Sequence, residues 1–203
     1  MATLIIVILM ILLILIALFL LNFYRDPKRT IPKGNNIVAP ADGRVISIIS
    51  TSRKNIRINK GLTGKIRTLT KDVAEGCYAI SIFMSPLDVH INRAPINGTV
   101  KSIKHEKGTF YMAYDISKSL QNEKNEVIIQ NTRLKVKVIQ IAGFLARRIV
   151  CNVRKNDKLN KGDKIGMISL GSQTTLIVPD NIHLKVKIND EVRAGETIIA
   201  VLK

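Results

Sequence analysis

The sequence predicts a mainly β (β-rich α+β) single domain with pseudo-repeated hairpins, preceded by an N-terminal transmembrane helix. Three observations lead there. Leu4 to Leu21 is an unbroken apolar run. The remaining chain is divided into short Ile- and Val-rich runs separated by Gly, Asn, Asp and Lys, as expected for strands joined by turns. Finally, the segment from Asn156 to Ile165 returns 33 residues later between Asn189 and Ile198, in the shared form Asn-Asp-x-apolar-x-x-Gly-acid-x-Ile. Turn residues lead into a strand in each copy, so two similar hairpins should pack about a pseudo-twofold axis.

The apolar run covers about 27 Å as a helix, close to the roughly 30 Å of a bilayer's hydrocarbon core. It lacks the basic start and small-residue cleavage site of a signal peptide, so residues 1–22 are expected to remain as an anchor. Arg25, Lys28, Arg29 and Lys33 follow directly, which places the later residues on the cytoplasmic side of a cell membrane. Residues 23–40 form a basic linker. Pro27, Pro32, Gly34 and Pro40 favour extended chain there.

From residue 41 to 203 the strand signals fall at 44–50, 78–84, 98–103, 127–130, 134–141, 149–153, 165–170, 176–178, 184–188 and 197–202. One short helix is expected at Thr109–Leu120.

Lysine and arginine outnumber acids 32 to 15, for a net charge of +17. Such a field attracts polyanions. Aromatic residues make up only 4% and tryptophan is absent, leaving little stacking surface for single-stranded nucleic acid. Together with the apolar run, this favours an anionic membrane and excludes a nucleic-acid partner. Arg53, Lys54, Arg57, Lys60, Lys65, Arg67 and Lys71 form a basic stretch without an acid, suited to lie on anionic lipid at about 1 kcal/mol per charge. Cys77 and Cys151 sit in apolar surroundings outside any ligand-type cluster, which predicts reduced thiols and no metal site.

Five segments then carry chemistry in order: 23–27 (Phe-Tyr-Arg-Asp-Pro), 39–45 (Ala-Pro-Ala-Asp-Gly-Arg-Val), 82–95 (containing Ser85-Pro86-Leu87-Asp88-Val89-His90), 140–148 and Gly171-Ser172. From about residue 23 to 180 the chain resembles the short, membrane-linked branch of the pyruvoyl-dependent phosphatidylserine decarboxylases, archaeal archaetidylserine decarboxylases included. The resemblance implies a zymogen that cleaves itself between Gly171 and Ser172, giving residues 1–171 (beta) and a 32-residue fragment (alpha). Ser172 would become a pyruvoyl group, the covalent cofactor. Its carbonyl would form a Schiff base with the serine headgroup, and the ethanolamine phospholipid and CO2 would leave. The two fragments would stay associated. Phosphatidylserine and archaetidylserine share the headgroup and remain equal candidates.

This logic agrees with elementary chemistry. Decarboxylation of an amino acid needs an electron sink, and no side chain offers an electrophilic carbonyl. Gly171, without a Cβ, can adopt the turn that exposes its carbonyl. His90 is the candidate acid–base because imidazole changes charge near neutral pH. Asp42 is expected to orient that ring or stabilise its cation, as in a serine triad, with Asp88 as a turn residue or supporting partner. Arg147 and Arg148 offer guanidinium forks for the lipid phosphate. His105 and His183 are expected to be solvated.

The chain departs from larger relatives in having Arg93 where a second histidine stands, and Gln173-Thr174-Thr175 after the scissile pair. Two other readings compete: a membrane-tethered biotinyl- or lipoyl-like carrier, suggested by the half-repeats, and a basic binding module without catalysis. Neither predicts two fragments from one gene.

Overall fold

The computed structural model describes residues 1–51, 55–59, 65–70, 72–107, 123–143, 148–169 and 172–202, with the side chains of 51, 55–59 and 65–69 excepted. Gly171, Arg147 and the helix expected at Thr109–Leu120 lie outside the described residues. So do the side chains of the basic stretch from Arg53 to Lys71.

The apolar run forms α1 (Ala2–Phe23), 22 residues with a mean hydropathy of 3.8 over its apolar window and no residue of that window buried. It is long and apolar enough to cross a membrane. Only Phe23, its last residue, is buried against the domain.

The remainder is mainly β, as the sequence predicts. The strands are β1 (Asn36–Val38), β2 (Gly43–Thr51), β3 (Asn55–Asn59), β4 (Lys65–Leu69), β5 (Cys77–Met84), β6 (Ile91–Arg93), β7 (Gly98–Glu106) and β8 (Lys124–Gln130). They continue as β9 (Lys135–Ile141), β10 (Ile149–Cys151), β11 (Lys158–Leu159), β12 (Lys164–Ile168), β13 (Ser172–Pro179), β14 (Ile182–Leu184), β15 (Glu191–Val192) and β16 (Ile198–Leu202). One expectation was displaced. Strand β14 ends at Leu184, because Lys185 onward turns towards Asn189, whose φ is 76°.

An eight-stranded antiparallel sheet runs β11-β7-β8-β9-β13-β5-β2-β15, and two three-stranded sheets run β1-β16-β14 and β10-β12-β6. The pseudo-twofold relates the halves strand by strand. Val38 N–H donates to the Pro95 carbonyl (2.9 Å) and Arg93 N–H to the Pro40 carbonyl (2.8 Å), the same bond with the copies exchanged. Register shifts at Val45/Ser47 and at Val100/Ser102 also correspond. The two Asn-Asp turns repeat as well, with Asn156 at φ 75° matching Asn189, and Gly162 at φ 92° matching Gly195 at 79°. A second repeat accompanies them: Ala39-Pro40-Ala41-Asp42-Gly43 against Ala94-Pro95-Ile96-Asn97-Gly98.

One copy is continuous, from β6 to β12. The other is split into β1–β5 and β13–β16, with the continuous copy inserted between them. In the continuous copy the β8–β9 hairpin closes tightly around Asn131 and Leu134 (N–H to carbonyl 3.1 Å). The equivalent β5–β13 hairpin is opened at Met84 and Ser172, and both connections between copies leave from there.

The linker is bound along its length. Asp26 meets Arg93 and Lys164, and Arg29 bonds Asp42 at 2.8 Å and Glu196 at 3.7 Å. A Cβ on Gly162 would lie 2.3 Å from Ile31 Cδ1, and one on Gly195 3.0 Å from the same atom. The two repeat glycines therefore form the seat of Ile31.

Gly43 is constrained most tightly. Its φ is 133°, and a Cβ there would stand 2.1 Å from the Phe83 backbone oxygen. Gly43→Ala should cost more than about 2 kcal/mol, read as a lowered urea midpoint. An unchanged midpoint would contradict this close β2–β5 approach.

Candidate active site

Both connections between the pseudo-repeats converge on one place. The first leaves β5 through a turn that Ser85-Pro86-Leu87-Asp88 specifies locally: proline presets φ and the aspartate caps. Asp88 N–H donates to the Ser85 carbonyl (3.0 Å), and Ser85 N–H to Asp88 Oδ2 (2.7 Å). His90 follows, fully buried. The second connection leaves β12, where Ile168 N–H donates to the His90 carbonyl (3.2 Å) and Ser169 N–H to the Arg148 carbonyl (2.9 Å). It re-enters the sheet at Ser172, opposite Met84. Three residues, 169–171, thus separate the His90 contact from Ser172.

His90 Nδ1 lies 2.9 Å from the Asp88 carbonyl. A carbonyl only accepts, so Nδ1 carries the proton and Nε2 the lone pair. Nε2 is buried with no hydrogen-bond partner among the described residues. The Phe23 ring covers the imidazole at a centroid distance of 4.3 Å. Burial pushes the His90 pKa below its ordinary value; the Asp88 carbonyl bond and the Asp88 charge oppose this, the Arg25 charge adds to it, and the more remote Asp42 opposes it weakly.

Ser172 is also fully buried. Its Oγ lies 3.5 Å from Met84 Sδ, a weak acceptor. Beside it runs a buried amide chain. Asn125 Nδ2 donates to Gln140 Oε1 (2.8 Å), Gln140 Nε2 to Asn92 Oδ1 (2.8 Å), and Asn92 Nδ2 to Thr174 Oγ1 (3.1 Å). Thr174 Oγ1 and Asn92 Nδ2 reach the same sulfur, at 3.5 and 3.8 Å. These bonds fix the inner face of β13 beside Ser172. The sequence reading gave Asn92, Asn125 and Gln140 no role. Their only signal was polar residues at inward positions of apolar strands.

The predicted residues separate into those gathered at the junction and those turned away. His90, Asp88 and Ser172 lie on the two connections. Asp42 does not contact the imidazole. Its carboxylate takes bonds from Arg29 Nη2 (2.8 and 3.0 Å) and from Ala194 N–H (2.7 Å), so its oxygens are committed to the linker and the turn after β15. The ring is oriented by the Asp88 carbonyl instead. Arg93 also points away, donating to the Gly162 carbonyl (2.9 Å) and to Asp26. Arg148 is exposed, and His105 is bonded to Glu123 at 3.2 Å. Both cysteines are free.

The family model of phosphatidylserine decarboxylases matches residues 16–200. The chain belongs to that family. It is 48% identical to a protein assigned as an archaetidylserine decarboxylase proenzyme in Methanocaldococcus jannaschii, over 91% of this chain and 90% of the relative. It is 41% identical to the phosphatidylserine decarboxylase proenzyme of Chlorobium limicola (90% and 79% covered) and 43% identical to that of Prosthecochloris aestuarii (91% and 78%). Family membership sets aside the carrier reading and the non-catalytic one.

The buried imidazole gives a signed expectation. The unfolded ring protonates near pH 6.5 and the folded one at lower pH. Stability from the neutral ring is therefore complete above about 6.5 and declines as pH falls through that value. In a Ser172→Ala chain, proton shifts of His90 should titrate below free histidine, and Phe23→Ala should move the midpoint upward. A midpoint at or above free histidine would contradict the burial argument.

Proposed function

We propose that this chain is a decarboxylase proenzyme that cleaves its own backbone between Gly171 and Ser172. The mature enzyme then converts phosphatidylserine or archaetidylserine to the corresponding ethanolamine phospholipid and CO2. One observation carries this reading: a buried, weakly bonded serine hydroxyl stands on one connection, and on the adjacent one a buried imidazole whose Nε2 has no partner among the described residues.

A hydroxyl whose neighbour is a thioether is not trapped in a strong competing bond. His90 Nε2 takes its proton as Oγ attacks the Gly171 carbonyl, and the peptide C–N bond is exchanged for an ester C–O bond as the Ser172 amine is protonated. Removal of the Ser172 Cα proton then breaks the Cβ–O bond. Residues 1–171 leave with a carboxylate, and the dehydroalanine takes up water and loses ammonia to become a pyruvoyl group.

The residues present fit such a group, since the precursor hydroxyl is buried and bonded to a weak acceptor, Met84 Sδ. Once formed, it supplies the electrophilic carbonyl that serves as electron sink. His90 then acts on the substrate side, delivering a proton from Nε2 to the carbon that has lost CO2. Asp42 is a positioning residue that acts through Arg29 and Ala194. Arg148, whose carbonyl accepts from Ser169 N–H, and its sequence neighbour Arg147 are assigned to the anionic headgroup. The anchor holds the domain at the cytoplasmic face of the cell membrane, following the positive charges after α1.

The fragments stay together on this reading, because β13 pairs with β5 over eight residue pairs and with β9 over five. The intact mass of purified protein tests the reading directly. The wild type should yield two fragments, the smaller beginning with a blocked ketoacyl end at position 172. Ser172→Ala should remain one 22.6 kDa chain without decarboxylase activity. An uncut wild type with an unmodified Ser172 would reject the proposal.

A further inference from the structure

Outside the Ser172–His90 pair, the elbow where α1 meets the domain holds a cation beside an open groove. Arg25 follows the last helical residue by one turn position. Its Nη1 donates to the Asn22 carbonyl (2.6 Å) and its Nη2 to the Leu87 carbonyl (2.7 Å). These neutral partners hold the guanidinium without neutralising it. No carboxylate lies within 4 Å of it among the described residues. Elsewhere in the linker, Arg29 is paired with Asp42 and Glu196.

Arg25 lines an open groove of about 920 Å³ together with Phe83, Ser85, Asp88 and Arg193. Phe83 and Ser85 flank Met84, the residue paired with Ser172. The acids near the groove are engaged: Asp42 with Arg29, Asp88 with the Ser85 N–H, and Glu191 with Arg44 at 3.5 Å. The charge of Arg25 also reaches His90, where it lowers the pKa.

Depth decides what this cation meets. If α1 spans the bilayer, its hydrocarbon section ends near Phe23, and the next residues stand at the level of lipid phosphates. Tyr24 and Leu87, both largely exposed, sit at the same level. Phe23 touches His90 directly. The reacting pair therefore lies at headgroup height, within reach of a lipid whose tails stay in the leaflet.

We propose that Arg25 is the phosphodiester-binding residue for the lipid substrate, which is processed without leaving the membrane, its headgroup bending into the groove towards Ser172. The proposal rests on the decarboxylase reading. A guanidinium matches two phosphate oxygens, and Arg25 can turn unused N–H groups to them while keeping its carbonyl bonds.

The test uses full-length mature protein in vesicles of phosphatidylserine and a neutral lipid. Arg25→Gln should raise KM about ten- to a hundredfold, with kcat changed far less, and Arg25→Lys should recover part of the loss. Inhibition by glycerophosphoethanolamine, which has the phosphodiester but no tails, should weaken by a similar factor. Arg148→Gln provides the comparison and should shift KM less.

Unchanged KM in a fully cleaved Arg25→Gln enzyme would overturn the proposal, as would equal losses in kcat and KM that Lys does not relieve. Failure of both variants to mature would make Arg25 a scaffold residue, with the same result. Inorganic phosphate competing at Arg25 while glycerophosphoethanolamine does not would assign the site to free phosphate and overturn it too. An uncut, inactive wild type would instead refute the underlying reading, so the two failures are distinguishable.

Discussion

The pairing of β13 on both of its edges is the constraint from which the site follows. This strand is nearly continuously buried and lies between β5 and β9 near the middle of the large sheet. Because strand register has a period of two residues, a one-residue slip would turn Ser172 from the core face to the other face. Leu176 and Val178 on the same face prevent that slip, since they pack into the main apolar core. Apolar burial further along β13 thus sets where the Ser172 hydroxyl stands. The amide chain from Asn125 to Thr174 adds directionality, because each buried amide needs its neighbour in place to be satisfied.

The anchor and linker belong to the same construction. A flexible tether would keep the domain near the bilayer but leave its orientation free. Here Ile31 sits in the glycine seat, Arg29 is buried against Asp42, and Asp26 bridges Arg93 and Lys164. Removing one partner of a buried ion pair costs about 3–5 kcal/mol, enough to hold the linker in a single arrangement. The end of α1 is consequently fixed against His90. The apolar helix and the buried imidazole share one rigid unit.

Much of this was legible in the sequence, and the exceptions have physical reasons. The membrane-length run, the β-rich domain and the 33-residue echo are local patterns, and each reappears in the fold. The chemistry-bearing motifs were legible as well, although their grouping depended on family resemblance. The partner of Asp42 was not legible. A carboxylate in a Pro-Ala-Asp-Gly turn can face any nearby cation, and only the path of the linker selects Arg29. Arg93 stands where a second histidine would carry chemistry in larger relatives, yet its guanidinium is used to bind Asp26. The short strands β1, β6, β11 and β15 escaped notice because two or three residues carry no measurable alternation. The 55-residue echo between Ala39 and Ala94 was missed for a related reason: its match consists of Ala, Pro and Gly, residues common in any turn.

The pseudo-symmetry also explains why, among the described residues, one half carries the buried imidazole and serine hydroxyl and the other does not. The equivalent of the Met84–Ser172 pair in the continuous copy is Asn131–Leu134, closed by a tight turn. A hollow of about 270 Å³ persists there, lined by Asn36, Asn97, Asn131 and Leu134 among others, but neither an imidazole nor a hydroxyl occupies the matching positions. Asn97 stands in place of Asp42, and Leu134 in place of Ser172. A tight turn between paired strands leaves no second chain to bring a base alongside. In the other copy the continuous half-domain stands at the equivalent point, which gives two adjacent connections instead of one turn. His90 lies on the first and Ser172 at the end of the second. A bond in such a connection can break without loss of the fold, because the ladders on either side of it hold the sheet together.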